Sequence, residues 1–206
     1  MSRPVLLIAG GSRGIGAATA KLAAGHGYDV AVNYKTNSNA AAAVVDAVKK
    51  AGGKAVAIQG DMALENDIER VFDTANDTFG SLTHFVHSSG IIGEGSRLDE
   101  VSAKTIREVL DIDTFGALLC LRACVRRMST KHGGKGGAVV MLSSIPLYGG
   151  LWMMACVSQT LDPKSLSGRE VDRRIAQRRL PDLKYYNGDM HRAALALPNF
   201  VRGLVS

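Results

Sequence analysis

The chain is poor in the residues that staple or anchor small proteins: 206 residues contain three cysteines, five prolines and one tryptophan, and aromatics make up 5%. Three thiols are too few for a disulfide scaffold, and Cys120, Cys124 and Cys156 show neither metal-ligand nor redox spacing. Cys120 and Cys124 share one face of a predicted helix, which reads as two buried structural thiols. Long hydrophobic runs are also missing. Val5–Ala9 and Ala138–Leu142 are strand-sized, far short of the ~20 apolar residues of a membrane span. No charged n-region, apolar h-region and cleavage site open the chain, because a Gly-rich turn follows the first apolar run at once. No membrane association and a cytoplasmic location are therefore expected. The net charge is +6, yet the basic residues are scattered apart from Arg173-Arg174 and Arg178-Arg179, and few aromatics accompany them. That pattern argues against a nucleic-acid partner.

What is present is an ordinary globular composition, 46% hydrophobic and 21% charged, and a length that fits one domain with room for an appendage. Apolar strands alternate with helical stretches. Strands are predicted at Val5–Ala9, Asp29–Asn33, Lys54–Gln59, Leu82–His87 and Ala138–Leu142. Helices are predicted at about 14–26, 39–51, 64–79 and 103–131. Regular alternation implies a parallel sheet covered on both faces. Right-handed crossovers then make the expected fold α/β, a doubly wound Rossmann-like sheet. After residue 145 the alternation stops. Pro146, Gly149-Gly150, Pro163, Gly168 and Pro181 interrupt the chain, leaving a charged helix at about 168–179 and an amphipathic one at about 190–205.

The first strand runs into "AGGSRGIG", residues 9–16. Gly10, Gly14 and Gly16 allow a tight turn, a close approach of backbone to phosphate, and close packing of the helix that follows. Ser12, Arg13 and Ile15 lie between them, and the helix start points its N–H groups at a pyrophosphate. Such a turn directly after the first strand is the context a dinucleotide site requires. The second strand ends in Asn33-Tyr34-Lys35, where an NAD site would carry an acid for the ribose 2′-OH. Lys35 and Arg13 are cations instead, which favours a 2′-phosphate and hence NADP(H). The net positive charge suits such a ligand. The plainer alternative is that Lys35 is an ordinary solvated loop lysine.

The G-x-x-x-G-x-G spacing resembles that of the short-chain dehydrogenase/reductase family, and further segments resemble it in the right order. Asp61-Met62 resemble the adenine-contacting pair. His87-Ser88-Ser89-Gly90 stand in the place of the family's N-N-A-G, with hydroxyls replacing amides at Ser88 and Ser89. Asp113 in "DIDTFGALLC" resembles the family's helix asparagine, and "GGAVVMLSS" resembles the fifth strand, ending at the catalytic serine, here Ser144. The resemblance covers residues 1 to about 144. It implies an NADP(H)-dependent oxidoreductase acting on a small carbonyl or alcohol, usually as a homo-oligomer. Ser144 would polarise the carbonyl, and Asp113 would hold a water or backbone group while adding a charge.

The proton donor that the resemblance implies is absent. The family's tyrosine and lysine, four apart on a helix, fall at positions occupied by Val157 and Leu161, and no Y-x-x-x-K occurs anywhere in these 206 residues. From residue 145 to 206 the chain resembles a different family, the C-terminal part of spermidine synthase, a polyamine aminopropyltransferase. The likeness is carried by "IPLYGGLWMMACVSQTLDP" and "LKYYNGDMHRAALALPNFVRGL". Tyr148 stands where that family lines its amine pocket, but the donor-binding glycines and catalytic aspartates of that family have no counterpart here. The chain thus reads as a chimera of a 1–144 dinucleotide-binding domain and a 145–206 tail. A natural fusion, an assembly artefact and an engineered joining all fit. A five-strand sheet so truncated would expose an apolar edge and face unless the tail covers them, and the stretch from Ala193 to Leu204 is the candidate cover. An impaired oxidoreductase, a catalytically inactive NADP(H)-binding module and a non-functional chimera are the readings left open.

Overall fold

The computed structural model describes residues 3–94, 97, 99–144, 152–158 and 167–177. The chain divides into two compact units, residues 1–159 and 160–206. In the first unit β1 (Val5–Ala9), β2 (Asp29–Tyr34), β3 (Ala55–Gln59), β4 (His84–His87) and β5 (Ala138–Ser144) alternate with helices. These are α1 (Gly14–Gly25), α2 (Ser38–Lys50), α3 (Glu65–Phe79), α4 (Ala103–Leu110) and α5 (Ala117–Met128). With β6 (Trp152–Ser158) at one edge, the strand order is β3-β2-β1-β4-β5-β6, and β1 to β5 run parallel to one another. The expected Rossmann-like sheet is therefore present, and each strand and helix boundary lies close to the position read from the sequence.

Side-chain alternation along each strand builds one core on each face of the sheet. Val5, Leu7, Ala9, Ala31 and Phe85 pack with Ile68, Val71, Phe72 and Ala75 of α3 and with Leu119, Cys120, Ala123 and Cys124 of α5. Leu6, Ile8, Val30 and Val32 pack on the other face with Ala20 and Ala24 of α1 and Ala41, Val44, Val45 and Val48 of α2. All five residues of β1 are buried, as befits the central strand. Cys120 and Cys124 are free buried thiols, as expected. Burial, aided by the Glu69 charge, pushes the Cys120 thiol up to about 12, which leaves it inert as a nucleophile. Above this core α3 and α5 are laced by ion pairs. Arg127 bridges Glu69 and Asp73, each at 2.7 Å, while its guanidinium sits 5.5 Å above the Phe72 ring.

Two features differ from the sequence expectation. First, the long helix expected over 103–131 is interrupted by a π-helical segment, Asp111–Gly116. Gly116 ends this segment against the loop after β3. A Cβ at Gly116 would lie 1.9 Å from the Met62 carbonyl oxygen, so only glycine lets the helix come this close to the end of β3. Second, alternation of elements does not stop at residue 145. A sixth strand, β6 (Trp152–Ser158), runs antiparallel along β5 in a seven-pair register from Ser144↔Trp152 to Ala138↔Ser158. The edge of β5 that a five-strand sheet would have exposed is thus paired, and β6 takes over as the edge strand.

In the second unit α6 (Gly168–Gln177) is the charged helix read from the sequence. The Ser167 hydroxyl accepts from the Glu170 N–H at 3.2 Å, and the Glu170 carboxylate pairs with Arg173 and Arg174, each at 2.6 Å. The expected helix at 190–205, its candidate covering role, Tyr148 and Leu161 lie outside the described residues. Among the described residues no helix is long and apolar enough to cross a membrane.

Candidate functional site

At the carboxyl end of the sheet, β1 passes through a turn into α1. Gly10 has a φ of +71°, in the left-handed region, and a Cβ there would lie 2.9 Å from the Ser88 carbonyl oxygen and the Ser89 backbone. A Cβ on Gly16 would lie 2.4 Å from the Gly10 carbonyl oxygen and 2.5 Å from Ser88 Oγ. Both glycines therefore hold the start of α1 and the end of β4 against the turn. Gly14 has a φ of +53° and open space where its Cβ would be, on the exposed side of the turn. Arg13 is the N-cap, exposed, with no side-chain capping bond, and no acidic residue occupies the first turn of α1. Ile15 is 60% exposed and Ser12 is half-buried. The arrangement leaves the positive end of the helix dipole open to an anion.

The turn is tied to the neighbouring strands. Ser88 Oγ donates to the carbonyls of Ala9 at 2.9 Å and Gly10 at 3.3 Å. Asn33, 2% exposed, is the central knot. Its Oδ1 accepts from the Gly10 N–H at 3.2 Å, its Nδ2 donates to the carbonyls of Ile58 and Gly60, and its own carbonyl accepts from the Gly11 N–H at 2.8 Å. The Asn33 side chain thus ties the turn to the end of β3. Tyr34 packs half-buried against the core.

Lys35 is not a free cation. Its Nζ lies 2.7 Å from Asp61 Oδ2. The sequence showed no acid next to Lys35 because Asp61 follows a different strand, β3. Met62, 3% exposed, is in the core with its Sδ 3.7 Å from Cys120 Sγ, and its carbonyl faces Gly116.

Gly90 follows β4 and lies against Asp113 in the π-helical segment: a Cβ on Gly90 would be 3.3 Å from Asp113 Oδ1. Asp113 Oδ1 accepts from the Ile91 N–H at 2.9 Å. Loss of solvent raises the Asp113 carboxyl above its ordinary range, opposed by that N–H. The bond is the service an asparagine side chain would perform with its carbonyl oxygen, here delivered by a carboxylate. Ser144 ends β5, and its side chain lies outside the described set.

Two residues of interest gave no clear signal in the sequence. His87, at the end of β4, is 2% exposed and neither ring nitrogen has a partner among the described residues. Burial lowers it to about 4. Asp67 accepts from the Asp61 N–H at 2.8 Å and also pairs with Arg70 at 2.6 Å, fixing the loop after β3. A D-x-x-x-x-x-D spacing carries no recognisable motif, so only the fold exposes the second contact. Val157, where the resemblance puts a helical tyrosine, lies on β6 opposite Val139.

Comparison with known proteins agrees with this geometry. The family model described as short chain dehydrogenase matches residues 4–155, eleven residues beyond Ser144. An uncharacterized oxidoreductase of Escherichia coli, YgfF, is 41% identical over 141 residues, covering 68% of this chain and 57% of the relative. The chain thus spans little more than half the length of the curated relatives it matches. A short-chain dehydrogenase/reductase from Serratia marcescens superposes with a TM-score of 0.64 at 29% identity, covering 71% of this chain and 59% of that one. A short chain dehydrogenase from Burkholderia cenocepacia, solved in complex with NADP, superposes with a TM-score of 0.57 at 34% identity, covering 61% of this chain and 50% of that one. With the sheet order, the glycine turn and the family match in agreement, the chain belongs to the short chain dehydrogenase family.

Proposed function

We propose that residues 1–144 form an NADP(H)-binding domain, and that the chain is an oxidoreductase of short-chain type acting on a small carbonyl or alcohol, with impaired catalysis. The observation that carries this is the turn between β1 and α1. Gly10 and Gly16 are packed where no side chain fits, and the start of α1 is left open without an acid. A pyrophosphate matches that open helix end in charge and in hydrogen-bond direction. Arg13 and Lys35 would meet a 2′-phosphate, and NADP bound to the Burkholderia relative supports that choice. Ser88, Ser89, Gly90, Asp61 and Met62 are the further residues we propose for the coenzyme.

Bound NADPH would supply the hydride for a carbonyl carbon. The chain's own part is to bind and orient the substrate and to deliver a proton to the carbonyl oxygen. Ser144, at the carboxyl end of β5, is the hydroxyl proposed to polarise that oxygen. Asp113 holds the Ile91 backbone and so fixes the loop after β4. No tyrosine stands four residues before a lysine, so residual turnover would draw its proton from water or from Tyr148, and losing one general acid costs about 10²–10⁴-fold in rate.

That same absence favours a second reading, an NADP(H)-binding module without turnover. The tail from 145 to 206 we read as aminopropyltransferase-like on the two segments quoted above, although the short chain dehydrogenase match runs to residue 155 and so includes part of the first of them. Homo-oligomer formation is proposed by analogy with the family. An NADPH-oxidation assay at 340 nm against small aldehydes, ketones and diketones tests the choice. Slow turnover, lost in Ser144→Ala, supports the oxidoreductase. NADPH binding with no turnover on any carbonyl supports the module.

A further inference from the structure

The ends of β2 and β3 lie side by side, and each is followed by a charged residue, Lys35 after β2 and Asp61 after β3. Their side chains meet at 2.7 Å. The two partners are held very differently. Asp61 Oδ1 accepts from the Ala63 N–H at 3.0 Å, and the Asp61 N–H is held by Asp67 Oδ2 at 2.8 Å. The side chain of Asp61 is 21% exposed and that of Lys35 is 57% exposed. The carboxylate is thus anchored with one oxygen turned to the lysine, and the ammonium rests on it at the end of a flexible stem. Arg13 has no ion-pair partner among the described residues, so the two cations of the site are not equivalent.

We propose that Asp61 sets the coenzyme selectivity of this site. Its carboxylate competes with the 2′-phosphate of the dinucleotide for Lys35, so discrimination between NADPH and NADH is weaker than the two cations alone would give. This rests on the NADP(H) reading above. The two coenzymes differ by one phosphate, which is close to doubly charged at neutral pH, so the ratio of their affinities reports the local field at that point. A lysine already neutralised by a fixed carboxylate contributes less to that field, and to bind phosphate it must give up a formed contact. For an exposed pair the effect on the ratio is roughly 1.5-fold to fivefold at low salt.

The test is a double-mutant cycle on the full chain, with NADPH and NADH titrated by coenzyme fluorescence at low ionic strength. The proteins are wild type, Asp61→Asn, Lys35→Met and the double variant. Asparagine keeps the oxygen that accepts from Ala63, and any contact of residue 61 with adenine acts on both coenzymes alike and cancels in the ratio. Asp61→Asn should raise the NADPH-to-NADH affinity ratio roughly 1.5-fold to fivefold, and should leave it about unchanged when Lys35 is already methionine. A ratio unchanged or lowered by Asp61→Asn overturns the proposal, as does an equal rise in the Lys35→Met background. If the asparagine variant fails to fold, Asp61→Ser gives the same comparison, because its hydroxyl also accepts from Ala63. A wild-type chain that binds neither coenzyme, or that prefers NADH, overturns the NADP(H) reading itself and this proposal with it.

Discussion

Replacing His87 with leucine should strengthen the fold and flatten its response to acid. His87 is the last residue of β4, between Ala9 of β1 and Met141 of β5, with its ring 6.2 Å from that of Phe85. It is 2% exposed, and neither ring nitrogen has a partner among the described residues. Burial lowers it from 6.5 to about 4, so the folded chain keeps the ring neutral while the unfolded chain protonates it. Between those two values the unfolded state binds more protons, and stability falls as pH falls from about 6.5 through about 4. From pH 7 to pH 5 the loss is about 2 kcal/mol. At pH 7 the neutral ring also leaves its nitrogens desolvated, a cost of about 1–3 kcal/mol that leucine does not carry. Asp113 has the opposite sign, because its raised carboxyl favours the folded state on acidification, but it is common to both proteins and cancels. Urea unfolding followed by far-UV circular dichroism at pH 7 and pH 5 decides the matter. Wild type should lose about 2 kcal/mol more than His87→Leu over that interval. Equal losses in the two proteins, or a leucine variant less stable at pH 7, would refute the reasoning and show that the ring is satisfied.

Two further outcomes follow from the same geometry. Gly16→Ala places a methyl 2.4 Å from the Gly10 carbonyl oxygen, which should cost about 1–3 kcal/mol in a thermal melt and weaken NADPH binding at least ~10-fold. Gly14→Ala meets open space and should lose only about 1 kcal/mol from its positive φ. Installing the missing pair as Val157→Tyr with Leu161→Lys should not raise NADPH oxidation, since residue 157 sits on a strand paired with Val139 and not on a helix.

The elements that were legible in the sequence are those whose signal is local. Five apolar strands, the glycine turn and the caps of α2 and α4 can each be read within a dozen residues. Asn37 and Ser102, for example, accept from backbone N–H groups three residues on. Contacts across the sheet were not legible. Lys35 and Asp61 lie 26 positions apart and meet only because β2 and β3 are neighbours. The three side-chain bonds of Asn33, to Gly10, Ile58 and Gly60, likewise form only because the turn and β3 flank β2. The apolar run of β6 follows a break rich in glycine and proline, and a short apolar run alone does not distinguish a strand from a buried helix. The π-helical segment brings Gly116 against the Met62 carbonyl, where a Cβ would lie 1.9 Å from the oxygen, a contact across the fold that no helical periodicity reports.

The central claim is that the turn from residue 9 to 16, with Arg13 and Lys35, holds a 2′-phosphorylated dinucleotide. Its most direct test is a fluorescence titration of the purified chain with NADPH, run beside NADH. The account predicts saturable binding at about one coenzyme per chain, tighter for NADPH and weakened by salt. Absence of binding to either coenzyme, or a preference for NADH, would contradict it.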